Sequence, residues 1–348
     1  MLQRNQLSSK IHLVGSIPLS SAEEVFELIG LEFAERCLRI PDGETGERRN
    51  WIGWQLGVFE KQDALVNIKN KEREYQLHPP YTFARGYGVE DLNFTDLGFA
   101  REAIASFSRF TRNQSEGVLP KNAKFMVAIP TPFAPVYSFI SYADQLSVLP
   151  VYEAAILSEL EEIIKNTPHE MLTIQWDVAT EMSIFEQVYG FQVENQWEFL
   201  TNALATLGDK VPHDVELGYH LCYGSMNSKH WKEPETLGMC VKVSNVLTNK
   251  LSRLVNFIHM PVPVDRMDDA YYNPLRELKV KDDTQVILGL VHDSQTYEKN
   301  IKRIKFARNF LPEFGIATEC GLGRRDAHSM PGLMNLHNRL AEYIDELR

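Results

Sequence analysis

Short apolar runs alternate with longer amphipathic segments along the whole chain. The short runs predict eight β-strands: Ile11–Gly15, Cys37–Ile40, Phe125–Ile129, Leu172–Trp176, Val215–Leu221, Leu254–His259, Val286–Leu290 and Ile316–Glu319. The segments between them predict helices, among them 22–35, 98–110, 152–166, 196–207, 297–310 and 334–347. Strands that alternate with helices are typical of a parallel sheet with right-handed crossovers. Eight of them predict an α/β fold of the (β/α)8 TIM-barrel type, as a single domain over residues 1–348.

Two connections are longer than the others. The first, residues 41–124, is a long excursion after the second strand, and the other is the proline-rich segment "HMPVPVDRMDDAYYNPL" after the sixth strand. In barrels of this type, active sites are built at the carboxyl ends of the strands, from the loops that follow them. We therefore expect the chemistry of this protein to lie where these two loops begin.

The composition narrows the class of protein. A content of 44% hydrophobic and 24% charged residues is that of a soluble globular protein, and no apolar run is long enough to span a bilayer. The net charge of −11 argues against nucleic-acid binding, which requires a basic face. Four cysteines, without a secretory signal at the N-terminus, predict reduced thiols in a cytoplasmic protein. The expected partner is a small molecule, and nothing in the sequence indicates an oligomeric state.

Three metal-binding residue types are predicted at strand ends: His220 and Cys222 in "GYHLCYG", and Cys320 in "TECGLGRR". Residues two apart on a strand project to the same side, so the imidazole and the first thiol share one face. Two sulfurs and one nitrogen are ligands that suit zinc with a coordination position left open. The alternative is that both cysteines are buried as small apolar residues.

Five motifs, in order along nearly the whole chain, carry a resemblance to a known family. They are "HLVGSIP" (His12–Pro18), "IQWDVATE" (Ile174–Glu181), "YHLCY" (Tyr219–Tyr223), "LGLVHD" (Leu288–Asp293) and "ECGLGRR" (Glu319–Arg325). With them the chain resembles the catalytic barrel of cobalamin-independent methionine synthase and its relatives, which include the methylcobalamin:coenzyme M methyltransferases and, more distantly, uroporphyrinogen decarboxylase. The chain has the length of one such barrel.

The resemblance implies zinc bound by His220, Cys222 and Cys320. In the methionine synthases a glutamate from an intervening strand completes the ligand set, but His259 stands at that place here. His259 is therefore either a replacement ligand, since imidazole suits zinc, or a residue that contacts a ligand or the substrate.

The same resemblance assigns two acidic residues. Asp177 matches the family aspartate that holds the amino group of the thiol amino acid, and Glu181 matches the glutamate that ends that motif. A carboxylate at a strand end can also serve as a general base, or simply cap a helix. Gly15 and Ser16, in the turn after the first strand, can hold a substrate carboxylate through backbone donors, or form only a tight turn.

The segment Arg39–Gln55, "RIPDGETGERRNWIGWQ", concentrates carboxylates, arginines and tryptophans in one loop. Such a loop can act as a lid with an anion clamp and an aromatic platform, or be a solvated loop with a few buried anchors. Its candidate substrate-binding residues are Asp42, Glu44, Arg48, Trp51 and Trp54. Further candidates at later strand ends are Asp265, Arg266 and Asp293.

These observations predict a zinc-dependent transferase that activates a thiol for methyl or alkyl transfer. The alkyl donor is left open between a folate, a corrinoid and another compound. Two other hypotheses keep the zinc: a hydrolase or lyase in which the open position carries water, and a binding protein without turnover in which four ligands close the site.

Overall fold

The computed structural model describes residues 10–72, 78–191, 193–225 and 229–347, apart from the side chain of Ala34. Nine strands occur in this part of the chain: β1 Arg39–Pro41, β2 Leu65–Asn67, β3 Tyr81–Phe83, β4 Lys124–Pro130, β5 Leu172–Val178, β6 Glu216–Leu221, β7 Phe257–Pro261, β8 Gln285–Gly289 and β9 Gly315–Ile316. The described helices are α1 Ala22–Phe33, α2 Leu56–Glu60, α3 Phe99–Ser115, α4 Phe133–Phe139, α5 Gln145–Asn166, α6 Thr180–Phe185, α7 Gln196–Asp209, α8 Gly238–Lys250, α9 Asp269–Tyr272, α10 Tyr297–Ala307 and α11 Met330–Glu346.

Seven strands form one curled parallel sheet in the order β1-β4-β5-β6-β7-β8-β9. The predicted α/β architecture with a parallel sheet is therefore confirmed. The predicted strand Ile11–Gly15 is reduced to a single parallel bridge between Ile11 and Ile316 of β9. The remaining predicted sheet strands correspond to observed ones, with ends shifted by at most three residues.

The central strands are buried on both faces. All seven residues of β5 are buried, because helices cover the outside of the sheet and side chains fill its inside. A separate inner cluster is formed by Met126, Phe257, Ile287 and Ala317, one residue each from β4, β7 and β8 and from the segment after β9. This filled interior leaves the strand ends as the place for a cavity.

The long excursion between β1 and β4 has secondary structure of its own. It contains α2, the antiparallel hairpin β2–β3 and α3. The helix predicted at 98–110 is confirmed as α3, which begins at Phe99 and runs on to Ser115. Helix α3 packs against α1 and α5, so the excursion returns to the helices that cover the sheet.

No helix in the described part of the chain is long and apolar enough to cross a membrane.

Candidate metal and thiol site

The carboxyl ends of three neighbouring strands bring the predicted ligands together. Asp177 lies in β5, His220 in β6 and His259 in β7, and the sheet register pairs Asp177 with His220 and His220 with His259. Cys222 directly follows β6, and Cys320 lies four residues after β9. Because these strands are parallel, all of these side chains meet at one edge of the sheet.

The ligand atoms of His220, Cys222 and Cys320 all lie within 4.8 Å of one another. The two Sγ atoms are 3.5 Å apart, and the backbone N–H of Gly224 donates to Cys222 Sγ at 3.3 Å. The hydrogen bond from Cys222 holds the pKa of Cys320 well below its usual range, while the same sulfur contact and burial raise the pKa of Cys222. The pair is thus arranged so that one sulfur readily becomes a thiolate.

A chain of hydrogen bonds sets the protonation of His220. The carbonyl of Thr318 lies 3.1 Å from His259 Nε2 and can only accept, so this nitrogen carries a hydrogen. Burial lowers the pKa of His259 well below its usual value, so the ring is neutral and its Nδ1 is an acceptor. His220 Nδ1 lies 2.6 Å from that Nδ1 and must donate to it. The buried His220 Nε2 has no hydrogen-bond partner among the described residues, and in a neutral ring it bears a free lone pair.

Of the two interpretations of His259, this geometry favours a contact with the predicted metal ligand His220 over direct binding of the metal. Both ring nitrogens of His259 are engaged, one by His220 and the other by Thr318. The close packing around it requires glycine in β8, since a Cβ on Gly289 would lie 2.8 Å from His259 Nε2. The register between β6 and β7, which places the two histidines side by side, could not be predicted from either strand alone.

A cavity of about 140 Å³ opens in front of the two sulfurs. Five predicted substrate-binding or catalytic residues line it together with His220, Cys222 and Cys320: Gly15, Ser16, Glu44, Trp51 and Asp177. Aromatic side chains close its other walls; these are Tyr137, Phe139, Tyr189 and Trp231. Trp231 stacks on Tyr223 with ring centroids 4.9 Å apart. The resulting space suits a small molecule with polar and apolar parts.

Two carboxylates face this cavity with raised pKa values. Burial raises the pKa of Asp177 to about 6. Burial, together with the nearby charges of Asp177 and Asp42, raises the pKa of Glu44 well above its usual range. A cation bound between the carboxylates of Glu44 and Asp177 would stabilise their charged forms and so lower both pKa values.

The loop after β1 places Glu44 close to Gly15, in the turn after the first predicted strand. Glu44 and Trp51 have positive φ angles of 45° and 58°, a conformation that costs energy for residues other than glycine. A Cβ on Gly15 would lie 2.5 Å from Glu44 Oε1, so the carboxylate occupies space that only glycine leaves free. Two strained residues that both line the cavity are typical of a functional loop.

The predicted anion clamp lies behind the cavity wall. Arg48 forms an ion pair with Asp42 at 2.9 Å, and Asp42 also accepts from Ser106 Oγ at 2.7 Å. Trp54 packs edge-on against Phe99. Asp42, Arg48 and Trp54 line a second, smaller cavity that shares Glu44, Trp51 and Asp177 with the first. Asp42, Arg48 and Trp54 stay predicted substrate-binding residues.

Four other candidates lie away from the described lining of the main cavity. Glu181 is buried in the first turn of α6, and burial raises its pKa to about 7. Asp265 is exposed, and Arg266 pairs with Asp268 at 3.2 Å. Asp293 pairs with Arg325 at 2.6 Å.

Sequence reasoning missed several residues at this edge of the sheet. Gln175 of β5 donates to Asp177, and Tyr137 and Trp231 line the cavity. Gln175 stands two residues before Asp177, so strand periodicity already placed it on the same face and could have indicated it. The tyrosine and tryptophan lie outside the compared motifs and gave no signal.

The fold and the site define a parallel α/β protein with a thiol–imidazole cluster at the carboxyl edge of its sheet. Among solved structures, the chain is similar to a B12-independent methionine synthase from Shewanella sp. W3-18-1, whose structure holds selenomethionine. The identity is 14%, the match covers 97% of this chain and 98% of the other, and the TM-score is 0.63. The predicted resemblance to methionine synthase barrels is thereby confirmed at the level of the fold. No protein-family model matches the chain, and no curated protein does.

Proposed function

We propose that this protein is a zinc-dependent transferase of the methionine-synthase type, which activates a small thiol for methyl or alkyl transfer. The single observation that carries the proposal is the buried, unpartnered Nε2 of His220 beside the two close sulfurs of Cys222 and Cys320. The fold likeness to a methionine synthase supports it. The proposal also includes a closed single-domain (β/α)8 barrel, in which the segment at Ile11 completes the sheet. It further includes a cytoplasmic location.

The donor set fits zinc in chemistry and in protonation. Two thiol groups and one imidazole are preferred zinc ligands, and His220 donates its other N–H, as metal-bound histidines do. Zinc, when bound, lowers the pKa of a thiol substrate and so supplies a nucleophilic sulfur near neutral pH. The hydrogen bonds of His259 support three protein ligands rather than four, which favours a transferase over a binding protein with a closed site.

The remaining residues of the cavity orient an amino-acid-like thiol. Glu44 and Asp177 would hold its ammonium group, because a cation between them stabilises the charged forms that burial disfavours in both carboxyl groups and that the charge of Asp177 also disfavours in Glu44. The Gly15–Ser16 turn, with glycine permitting close approach, would hold its carboxylate. Tyr137, Phe139 and Tyr189 provide an aromatic wall that would face the alkyl donor. The donor itself, a folate, a corrinoid or another compound, is left open.

The test combines metal content with thiol titration. Purified protein should hold about one zinc per chain, and adding homocysteine should release a proton as the thiol becomes a thiolate. Cys222→Ser and Cys320→Ser should each lose most of the zinc and all proton release. Cys37→Ser is the matched control, because Cys37 is buried outside the cluster of His220, Cys222 and Cys320 and donates to the carbonyl of Arg39.

Two results would contradict the proposal. One is wild-type protein without zinc that also fails to take up added zinc. The other is stoichiometric zinc in both cysteine variants, which would place the metal elsewhere. Zinc binding without any response to thiols would instead favour the hydrolase, lyase or binding alternatives.

A further inference from the structure

A second buried hydrogen-bond chain runs through the interior of the sheet to Asp177. His12 Nε2 lies 2.9 Å from Gln175 Oε1, and Gln175 Nε2 lies 2.9 Å from Asp177 Oδ1 and 2.6 Å from the carbonyl oxygen of Val14. His12 and Gln175 are buried, at 1% and 0% exposure. Polar side chains buried this deeply are costly unless their hydrogen bonds are satisfied, so the chain has a structural or functional reason.

The directions of these bonds follow from the acceptors. The Val14 carbonyl can only accept, so the amide NH2 of Gln175 faces it and also faces Asp177. The amide oxygen must then point to His12 and accept from its Nε2–H. Burial, together with the nearby charge of Arg39, lowers the pKa of His12 to about 3, so the ring is neutral and carries its single hydrogen on that nitrogen. His12 therefore donates to Gln175, and Gln175 donates one amide hydrogen to Asp177 and the other to Val14.

Asp177 is held from two sides. Gln175 binds one oxygen from inside the sheet, and the indole N–H of Trp51 hydrogen-bonds to Asp177 from the loop after β1. Two fixed donors restrict the carboxylate to one orientation, at the wall of the cavity. A carboxylate held in this way pays less conformational entropy when it binds a ligand.

We propose that Gln175, oriented by His12, is a positioning residue for the carboxylate of Asp177 and sets the preference of the site for thiols that carry an α-ammonium group. This inference rests on the proposed function, because it assumes that Asp177 binds the ammonium of the substrate. His12 lies beyond Gln175 and acts only through it.

Two ligands that differ by one group test the inference. The affinities of zinc-loaded protein for homocysteine and for 4-mercaptobutyrate, which lacks the amino group, are measured by calorimetry. Wild type should prefer homocysteine. Gln175→Met, which removes the donor at similar volume, should reduce that preference by about tenfold, the worth of one hydrogen bond to a charged group. Binding of 4-mercaptobutyrate and the zinc content should stay unchanged.

Variants of His12 separate positioning from packing. His12→Phe keeps an aromatic ring but cannot donate, and it should lose part of the preference for homocysteine. His12→Gln can still donate to Gln175 and should restore it. A structural role alone would instead lower the thermal midpoint of both His12 variants and change binding of both thiols equally, which would overturn the inference.

The outcomes distinguish the inference from the function on which it rests. If wild type prefers homocysteine and Gln175→Met prefers it equally, the positioning role is wrong and the proposed function stands. If wild type binds both thiols equally, the assignment of Asp177 as ammonium anchor fails, and the inference fails with it. The zinc content of each variant, measured on the same samples, shows that the metal site is intact.

Discussion

His220 donates a hydrogen bond from Nδ1 to Nδ1 of His259, over 2.6 Å in the buried edge of the sheet. The sheet register places these two histidines directly opposite each other on β6 and β7. Since the Thr318 carbonyl fixes the hydrogen of His259, the pair leaves His220 Nε2 as a bare acceptor toward the two sulfurs. In the proposed zinc site, His259 would thus orient the imidazole of His220.

We predict that His259→Leu lowers the affinity for zinc by about ten- to a hundredfold, the usual effect of removing an outer hydrogen-bond partner of a metal ligand. The leucine offers no acceptor for His220 Nδ1–H, so the imidazole is free to rotate. Competition with a chelator measures the affinity.

His259→Gln is the matched variant, because its amide oxygen can accept from His220 in place of the imidazole nitrogen. It should retain most of the zinc affinity. If it instead loses as much zinc as His259→Leu, and X-ray absorption counts two nitrogen ligands in wild type, His259 is itself a ligand.

For Asp177 we predict that substitution weakens substrate binding and leaves the zinc content unchanged. Asp177→Asn removes the negative charge that faces the ammonium group but keeps the shape of the side chain. The KM for the amino-acid thiol should rise about tenfold or more, since a hydrogen bond to a charged group is lost. Steady-state kinetics and zinc analysis on one preparation measure both quantities. Loss of zinc with normal thiol binding would show that the assigned role is wrong.

The contact between Gly15 and Glu44 predicts that Gly15→Ala lowers activity, and Gly57→Ala is the matched control. Gly15→Ala places a Cβ 2.5 Å from Glu44 Oε1, so the carboxylate must move, and kcat/KM should fall about ten- to a hundredfold. Gly57→Ala in α2 meets nothing within 4 Å and should stabilise the fold by about 0.5–1 kcal/mol without changing activity. Thermal unfolding and kinetics of both variants check this. Equal activity of Gly15→Ala and wild type would show that Glu44 need not hold its position.

The parts of the structure that follow from local sequence were predicted, and the parts that depend on register were not. Strand β5 is an apolar run buried throughout, and the His-x-Cys spacing alone placed His220 and Cys222 on one face. Helix α8, "GMCVKVSNVLTNK", was not named among the predicted helices, and its β-branched residues have low helix propensity, which packing against the core overcomes.

Contacts between distant segments account for the remaining differences. The approach of Glu44 to Gly15 and the pairing of Arg48 with Asp42 depend on how the loop after β1 folds back over the sheet. Spacing within that loop indicated a concentration of charges but could not show which of them neutralise one another. Arg48 stays a predicted substrate-binding residue, and the structure pairs it with a carboxylate of its own loop.

The raised pKa of Glu181 predicts how the stability of the protein depends on pH. Burial raises its pKa in the folded state from 4.5 to about 7, so the folded protein binds this proton more tightly than the unfolded chain does. The stabilising contribution is complete below pH 4.5 and is lost as the pH rises toward 7. Glu181→Gln cannot ionise, so relative to wild type it should gain stability between pH 5 and pH 8, by at most about 3 kcal/mol. Urea denaturation of both proteins at the two pH values measures the difference. A gain that is the same at pH 5 and pH 8 would show that Glu181 ionises normally in the folded protein.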